Sequence, residues 1–125
     1  MSKGIKWDHD KPRFDLIPPY IEEEVAKVLT FGARKYAPDN WKKVPDGKRR
    51  YLSAIRRHYQ AFRKGEQLDP ETGLHHMAHL ICCAMFLGEA DLTNEPLPEA
   101  LTDDKEQLQS SKYEPSQQDF QPKSN

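Results

Sequence analysis

The chain has 125 residues, a formal charge of −1, 31% charged and 36% apolar residues, so it holds one small domain and no apolar run of membrane length. Its two cysteines, Cys82 and Cys83, are adjacent within an apolar stretch; that excludes a disulfide-stapled scaffold and reads as core thiols in a reducing, cytoplasmic compartment. No finger, zipper or helix-turn-helix pattern accompanies the basic residues and no signal peptide is visible, so neither duplex nucleic acid nor a membrane is expected as a partner.

Residues 1–19 are too poor in periodic apolar positions for a regular element. An extended arm is expected there, packing Trp7, Phe14, Leu16 and Ile17 on a helical domain that spans residues 20–100. The first helix runs from Pro19 to Tyr36, with Ile21, Val25, Val28, Leu29 and Gly32 or Ala33 as its buried stripe. Glu22, Glu23 and Glu24 suit the positive end of its dipole. Pro38, Asp39, Asn40, Pro45, Asp46 and Gly47 punctuate the following loop, in which Trp41 either anchors on the core or offers a stacking surface to a base.

The second helix spans about Arg49 to Lys64, with Leu52, Ile55, Tyr59 and Phe62 at 3-4-3 steps and Gly65 as its stop. Nine basic residues between Lys42 and Lys64 face the single acid Asp46, which reads either as solvated surface or as a positive rim for phosphates. Asp69-Pro70-Glu71 has the form of a third helix start, with Asp as N-cap and Pro at the first helical position. That helix extends to Gly88 along Leu74, Met77, Ala78, Ile81 and Met85, and Leu80, Phe86 and Leu87 make it apolar on the other side too. Residues 101–125 are polar and are expected to be a disordered tail. The expected fold is an all-α bundle of three main helices with an N-terminal arm, a body too small to bury a full core alone and therefore completed by homo-oligomerisation.

Four of the five histidines, His58, His75, His76 and His79, fall in or near the last two helices, among Glu66, Asp69 and Glu71. The i,i+4 pair His75/His79 and the i,i+3 pair His76/His79 converge on one helix face. With Glu71, and with His58 or Glu66 from the neighbouring helix, they compose a candidate metal site. Imidazole and carboxylate together suit Mn, Fe, Co, Ni or Zn better than Mg. Hydrogen-bonded core histidines have the same spacing. A second reading needs no metal: Arg57, Lys35, Lys11 and Arg13 bind phosphates by charge-assisted hydrogen bonds while Trp41 or Tyr36 stacks on a base. A third is a small helical adaptor that uses the apolar last helix for a protein partner. The metal and phosphate readings both require the imidazoles to share a pocket with the acids of the Gly65–Glu71 connection.

Several motifs narrow these readings: K-x-D-x-x-K-P-R-x-D-L-x-P from Lys6 to Pro18, F-G-A-x-K-Y from Phe31 to Tyr36, Asn40-Trp41, Arg57-His58, G-E-x-x-D-P-E-[ST]-G from Gly65 to Gly73, and His76-x-x-His79. In this order they resemble the dATP/dGTP diphosphohydrolase N-terminal domain family, largely encoded by bacteriophages. The resemblance implies an all-α nucleoside triphosphate pyrophosphohydrolase, related to MazG-type enzymes, that converts purine deoxynucleoside triphosphates to monophosphates and pyrophosphate. MazG-type sites hold Mg²⁺ with paired carboxylates. Here imidazoles stand instead, which implies a softer ion such as Mn, Co, Fe or Zn at His76, His79 and Glu71. Glu66, Asp69 and Glu71 would then serve catalysis, and Lys11, Arg13, Lys35, Tyr36, Asn40, Trp41, Arg57 and His58 would bind substrate. The alternative implied by a phage origin is a non-catalytic, metal-free sponge that sequesters a host signalling nucleotide.

Overall fold

A computed structural model describes residues 2–101; the expected disordered tail lies almost wholly outside the described residues. Three helices carry the fold: α1 (Pro19–Lys35), α2 (Gly47–Arg63) and α3 (His76–Thr93), with short 3₁₀ turns at Phe14–Leu16 and Asn40–Lys43. The described residues contain no strand; a single antiparallel bridge joins Leu68 and His75. The fold is all-α, as expected. α3 packs against both other helices and is the central element, which is why its sequence is apolar on more than one side. No helix among the described residues is long and apolar enough to cross a membrane.

α1 starts and stops where its sequence says. Pro19 supplies a pre-set φ at the first position, Glu22 lies in the first turn, and Arg34 and Lys35 face the negative end of the dipole. α2 begins two residues earlier than expected, at Gly47. Asp46 stands before it in the left-handed region, and the Asp46 and Gly47 amides donate to the Glu99 and Pro98 carbonyls at 3.1 and 3.3 Å. The chain segment after α3 therefore clamps the start of α2.

α3 differs most. It begins at His76, not at Asp69-Pro70, and runs past Gly88 to Thr93, where Asn94 takes the left-handed cap. Asp69 does accept capping-type hydrogen bonds, but from a turn that does not propagate. Gly73 at φ +72° reverses the chain, and the Leu68–His75 bridge fixes the reversal. At the far end Gly88 has an allowed helical geometry and open space around its Cα, so a helix held by tertiary packing runs through it.

The core is thin. Val25, Ala78, Cys82, Cys83 and Ala90 are its buried apolar residues, with Ile21, Val28, Ile81 and Phe86 packed around them. The thiols are buried as expected; Cys82 Sγ lies 3.6 Å from the Val25 carbonyl. Burial, and then the neighbouring Cys83, pushes the Cys82 thiol up to about 12; burial pushes Cys83 up to about 11. Among the described residues no large side chain is fully enclosed. Leu52, Tyr59, Phe62 and Met85, expected on buried stripes, are all more than a third exposed. The arm does not pack its apolar residues on the body of its own chain: Ile5, Trp7 and Phe14 are more than three-quarters exposed. That expectation is corrected.

Candidate functional site

The connection from α2 to α3 builds the site. Gly65, at φ +103°, turns the chain out of α2, and the Glu66 amide donates to the Ala61 carbonyl at 2.9 Å. The chain then runs out and back, with Asp69 N–H donating to Leu74 O at 2.8 Å and His76 N–H to Gln67 O at 3.1 Å. At the tip, Asp69 Oδ2 accepts from the Glu71 and Thr72 amides at 3.1 and 2.9 Å and from Thr72 Oγ1 at 3.2 Å. One carboxylate oxygen thus organises the turn and the other is left for the pocket. His75 is not on the helix face. It is the N-cap of α3, where its Nδ1 accepts from the Met77 amide at 3.0 Å, and its own amide donates to Glu24 Oε2 at 3.0 Å.

His76 is the buried centre, 3% exposed. Its Nε2 lies 2.8 Å from Glu66 Oε1, and because an ionised carboxylate only accepts, Nε2 carries the proton. Nδ1 of His76 then presents a lone pair, and His58 Nδ1–H donates to it at 2.9 Å from α2. The His58 ring also stacks on His79, with centroids 4.7 Å apart and planes 8° from parallel. His79 Nε2 is 2.7 Å from Thr72 Oγ1. Since that hydroxyl gives its one proton to Asp69, it accepts from His79. Thr72 thereby links the third imidazole to the Asp69 carboxylate.

Burial, reinforced by His79 and His76, holds His58 down to about 4 against the opposing pull of Asp69. Burial likewise lowers His79, opposed by Asp69, Glu71 and Glu24. Both rings are neutral at pH 7, the state in which imidazole ligates metals. One ligand atom each from His58, Asp69 and His76 lies within 4.8 Å of the others, a set of two imidazoles and one carboxylate. An ion would take the place of the proton between His58 and His76: two nitrogens that share one at about 2.1 Å stand about 3 Å or slightly more apart, and these are 2.9 Å apart when hydrogen-bonded. The Glu66–His76 bond supplies the outer carboxylate that ligating histidines commonly carry. The residues present fit a divalent ion of the Mn, Fe, Co or Zn kind.

His58, Asp69 and His76 therefore stand together, with Glu66 bonded to His76, while His75 and Glu71 are engaged elsewhere. Of the three ligands His76, His79 and Glu71, only His76 belongs to the convergent set; His58, offered by the sequence both as a completing ligand and as a substrate residue, and Asp69, expected to serve catalysis, complete it. His79 is turned to Thr72, and Glu71 pairs with Lys35 at 3.1 Å. Arg57 is next to His58 on α2 and donates to Ser53 Oγ at 3.2 Å. The Tyr36 ring has Lys35 Nζ 5.4 Å from its centroid. Asn40 and Trp41 lie in the turn before α2. Trp41 stacks on Phe86 at 4.7 Å, and Phe86 is ten residues, about 15 Å of helix, along α3 from His76. Trp41 is a core anchor on the side it gives to Phe86. Lys11 and Arg13 are exposed in the arm, where Arg13 is bound to Asp15 at 2.7 Å. Sequence reasoning missed Glu24 and Thr72. Glu24 sits at i+3 from Ile21 and i−4 from Val28, an acid on an apolar stripe, and that was its signal. Thr72 was signalled by its place three residues after Asp69 in a turn.

The family model described as dATP/dGTP diphosphohydrolase, N-terminal, matches residues 1–99. A protein called dATP/dGTP diphosphohydrolase from Salmonella phage PMBT28 is 43% identical over 84 residues, which are 67% of this chain and 28% of the relative. The match thus spans little more than a quarter of that relative's length. No solved structure is detectably similar.

Proposed function

The chain belongs to the dATP/dGTP diphosphohydrolase N-terminal family, and from that premise we propose that it is a metal-dependent nucleotide pyrophosphohydrolase acting on purine deoxynucleoside triphosphates. The single observation that carries this reading is the convergence of His58, Asp69 and His76, with Glu66 behind His76. A divalent ion held there supplies charge neutralisation on the phosphates and a more acidic water. The chain's own residues do the rest. Glu66 fixes the His76 tautomer so that Nδ1 faces the pocket. Thr72 and the turn amides orient Asp69. Glu71, held by Lys35 and close enough for its charge to act on His79, takes the proton of the attacking water. Lys35 and Arg57 bind phosphate oxygens. Homo-oligomers complete the thin core, and the exposed arm brings Lys11 and Arg13 to a neighbouring copy.

The test is chromatography of dATP, dGTP and dUTP after incubation with the protein and Mg²⁺, Mn²⁺, Co²⁺ or Zn²⁺. Conversion of the purine substrates to monophosphate and pyrophosphate, abolished in His76→Ala, is the expected result. Absence of turnover with every ion removes the reading. A second reading is favoured by the acid-free run of seven Lys and Arg residues from Gly47 to Lys64, which can hold phosphates without a metal: a non-catalytic nucleotide-binding module that sequesters its ligand. It requires EDTA-resistant binding and release of unaltered nucleotide on denaturation.

A further inference from the structure

Outside the histidine pocket, α2 carries a feature that the metal does not use. From Gly47 to Lys64 the chain has seven Lys and Arg residues and no acid. Its C-terminal half, with the turn that follows, lines an open groove of about 670 Å³ through Ser53, Arg56, Arg57, Gln60, Lys64 and Glu66. These α2 positions recur at three- and four-residue steps, so the cations stand in a row along one helix face. The lone acid of the lining, Glu66, directs Oε1 to His76, so its carboxylate is already engaged. Neither Arg56 nor Lys64 is paired with an acid among the described residues. Lys64 caps α2, where a cation also suits the helix dipole. Arg56, two turns earlier, has no such role. Glu66 lines the groove on one side and holds His76 on the other, so the groove opens next to the candidate metal centre.

We propose that this groove is the site for the terminal β- and γ-phosphates of the nucleotide, that is, for the leaving pyrophosphate, with Arg56 and Lys64 as specificity residues for triphosphate over monophosphate. The inference rests on the proposed function for the identity of the ligand, while the groove stands on its own residues. Spread oligophosphate charge matches a row of cations in an open cleft, and the planar Arg forks hold adjacent oxygens. The α-phosphate then falls beside Glu66 and the histidines. A monophosphate gains nothing from the row.

The experiment is calorimetric titration of the full chain with inorganic pyrophosphate in EDTA, comparing wild type, R56A/K64A and K43A/K48A. The last removes the same charge from outside the groove. Expected are salt-sensitive pyrophosphate binding in wild type, a weakening of about tenfold per cation removed in R56A/K64A, little change in K43A/K48A, and dAMP binding alike in all three. Circular dichroism confirms that each variant is folded. Equal weakening in both double variants, or no pyrophosphate binding by wild type, overturns the proposal. Tighter, equally variant-sensitive binding of a single-stranded oligonucleotide overturns the assignment to a nucleotide tail. Selective loss in R56A/K64A from a protein that turns over no nucleotide leaves the groove standing and removes only the hydrolase.

Discussion

Glu66→Gln isolates the outer carboxylate of the candidate metal centre. The carboxamide oxygen can still accept from His76 Nε2, so the ring keeps its tautomer and the turn its shape; only the charge is lost. Removing such partners typically lowers metal affinity 10- to 100-fold, about 1.4–2.7 kcal/mol. Glu66 is 52% exposed on its side chain while His76 is 4%. Solvent screens the carboxylate, which places Glu66→Gln near tenfold. Glu66→Ala deletes the bond as well as the charge and frees the His76 ring to turn, so its loss should be the larger and approach a hundredfold. The assay is titration with Co²⁺, followed by its visible absorption, and with Mn²⁺ by calorimetry. Glu71→Gln is the control, because Glu71 pairs with Lys35 and is not in the convergent set; its metal affinity should change little. Wild-type affinity in Glu66→Ala, or a larger loss in Glu71→Gln than in Glu66→Ala, would refute the assignment of ligands.

In metal-free protein, stability should fall on acidification. The native value of His58, about 4, lies below the ordinary 6.5, so between them the unfolded chain binds a proton that the native chain does not. That stabilisation is complete above about pH 6.5 and is lost as pH falls toward 4. Full burial would make it about 3 kcal/mol, and screening around a partly exposed ring reduces it to about 1–2 kcal/mol. Urea midpoints in EDTA should show this slope, and His58→Gln should flatten it. Gly73→Ala places a side chain at φ +72° and should cost about 1 kcal/mol, with weakened metal binding because Asp69 and His76 are set by that turn. A clean two-state urea curve with an unchanged midpoint would count against the strain. Finally, the denaturation temperature should rise with protein concentration, as mass action requires of an oligomer; a monomer in sedimentation with a concentration-independent midpoint would contradict completion of the core by another copy.

How much of this could be read from the sequence varies with the range of the interaction. α1 was legible to a residue or so, because its start and end signals are local and nothing overrides them. Asp69-Pro70-Glu71 misled: the same Asp side chain that caps a helix also closes a tight turn, and Gly73, four residues after Asp69 at φ +72°, reverses the chain into the Leu68–His75 bridge where a helix would have run on. The candidate site was legible as a set of residue types, since histidines and acids clustered within twenty-odd positions. Its pairing was not. His58 and His76 meet because α2 and α3 lie side by side, and the register of two helices depends on packing that no window of sequence contains. Glu24 was passed over as a first-turn acid because helix-end electrostatics explained it sufficiently without its place on the stripe.

The adjacent thiols of α3 give the protein an internal clock. A thiol must ionise to attack an alkylating reagent, and both Cys82 and Cys83 are buried with ionisation pushed far upward. Labelling therefore waits for the helix to leave its neighbours, so its rate counts excursions in which the central element comes loose. An occupied pocket at the front of the same helix should slow that count, which makes iodoacetamide a reporter of ligand binding without any engineered probe.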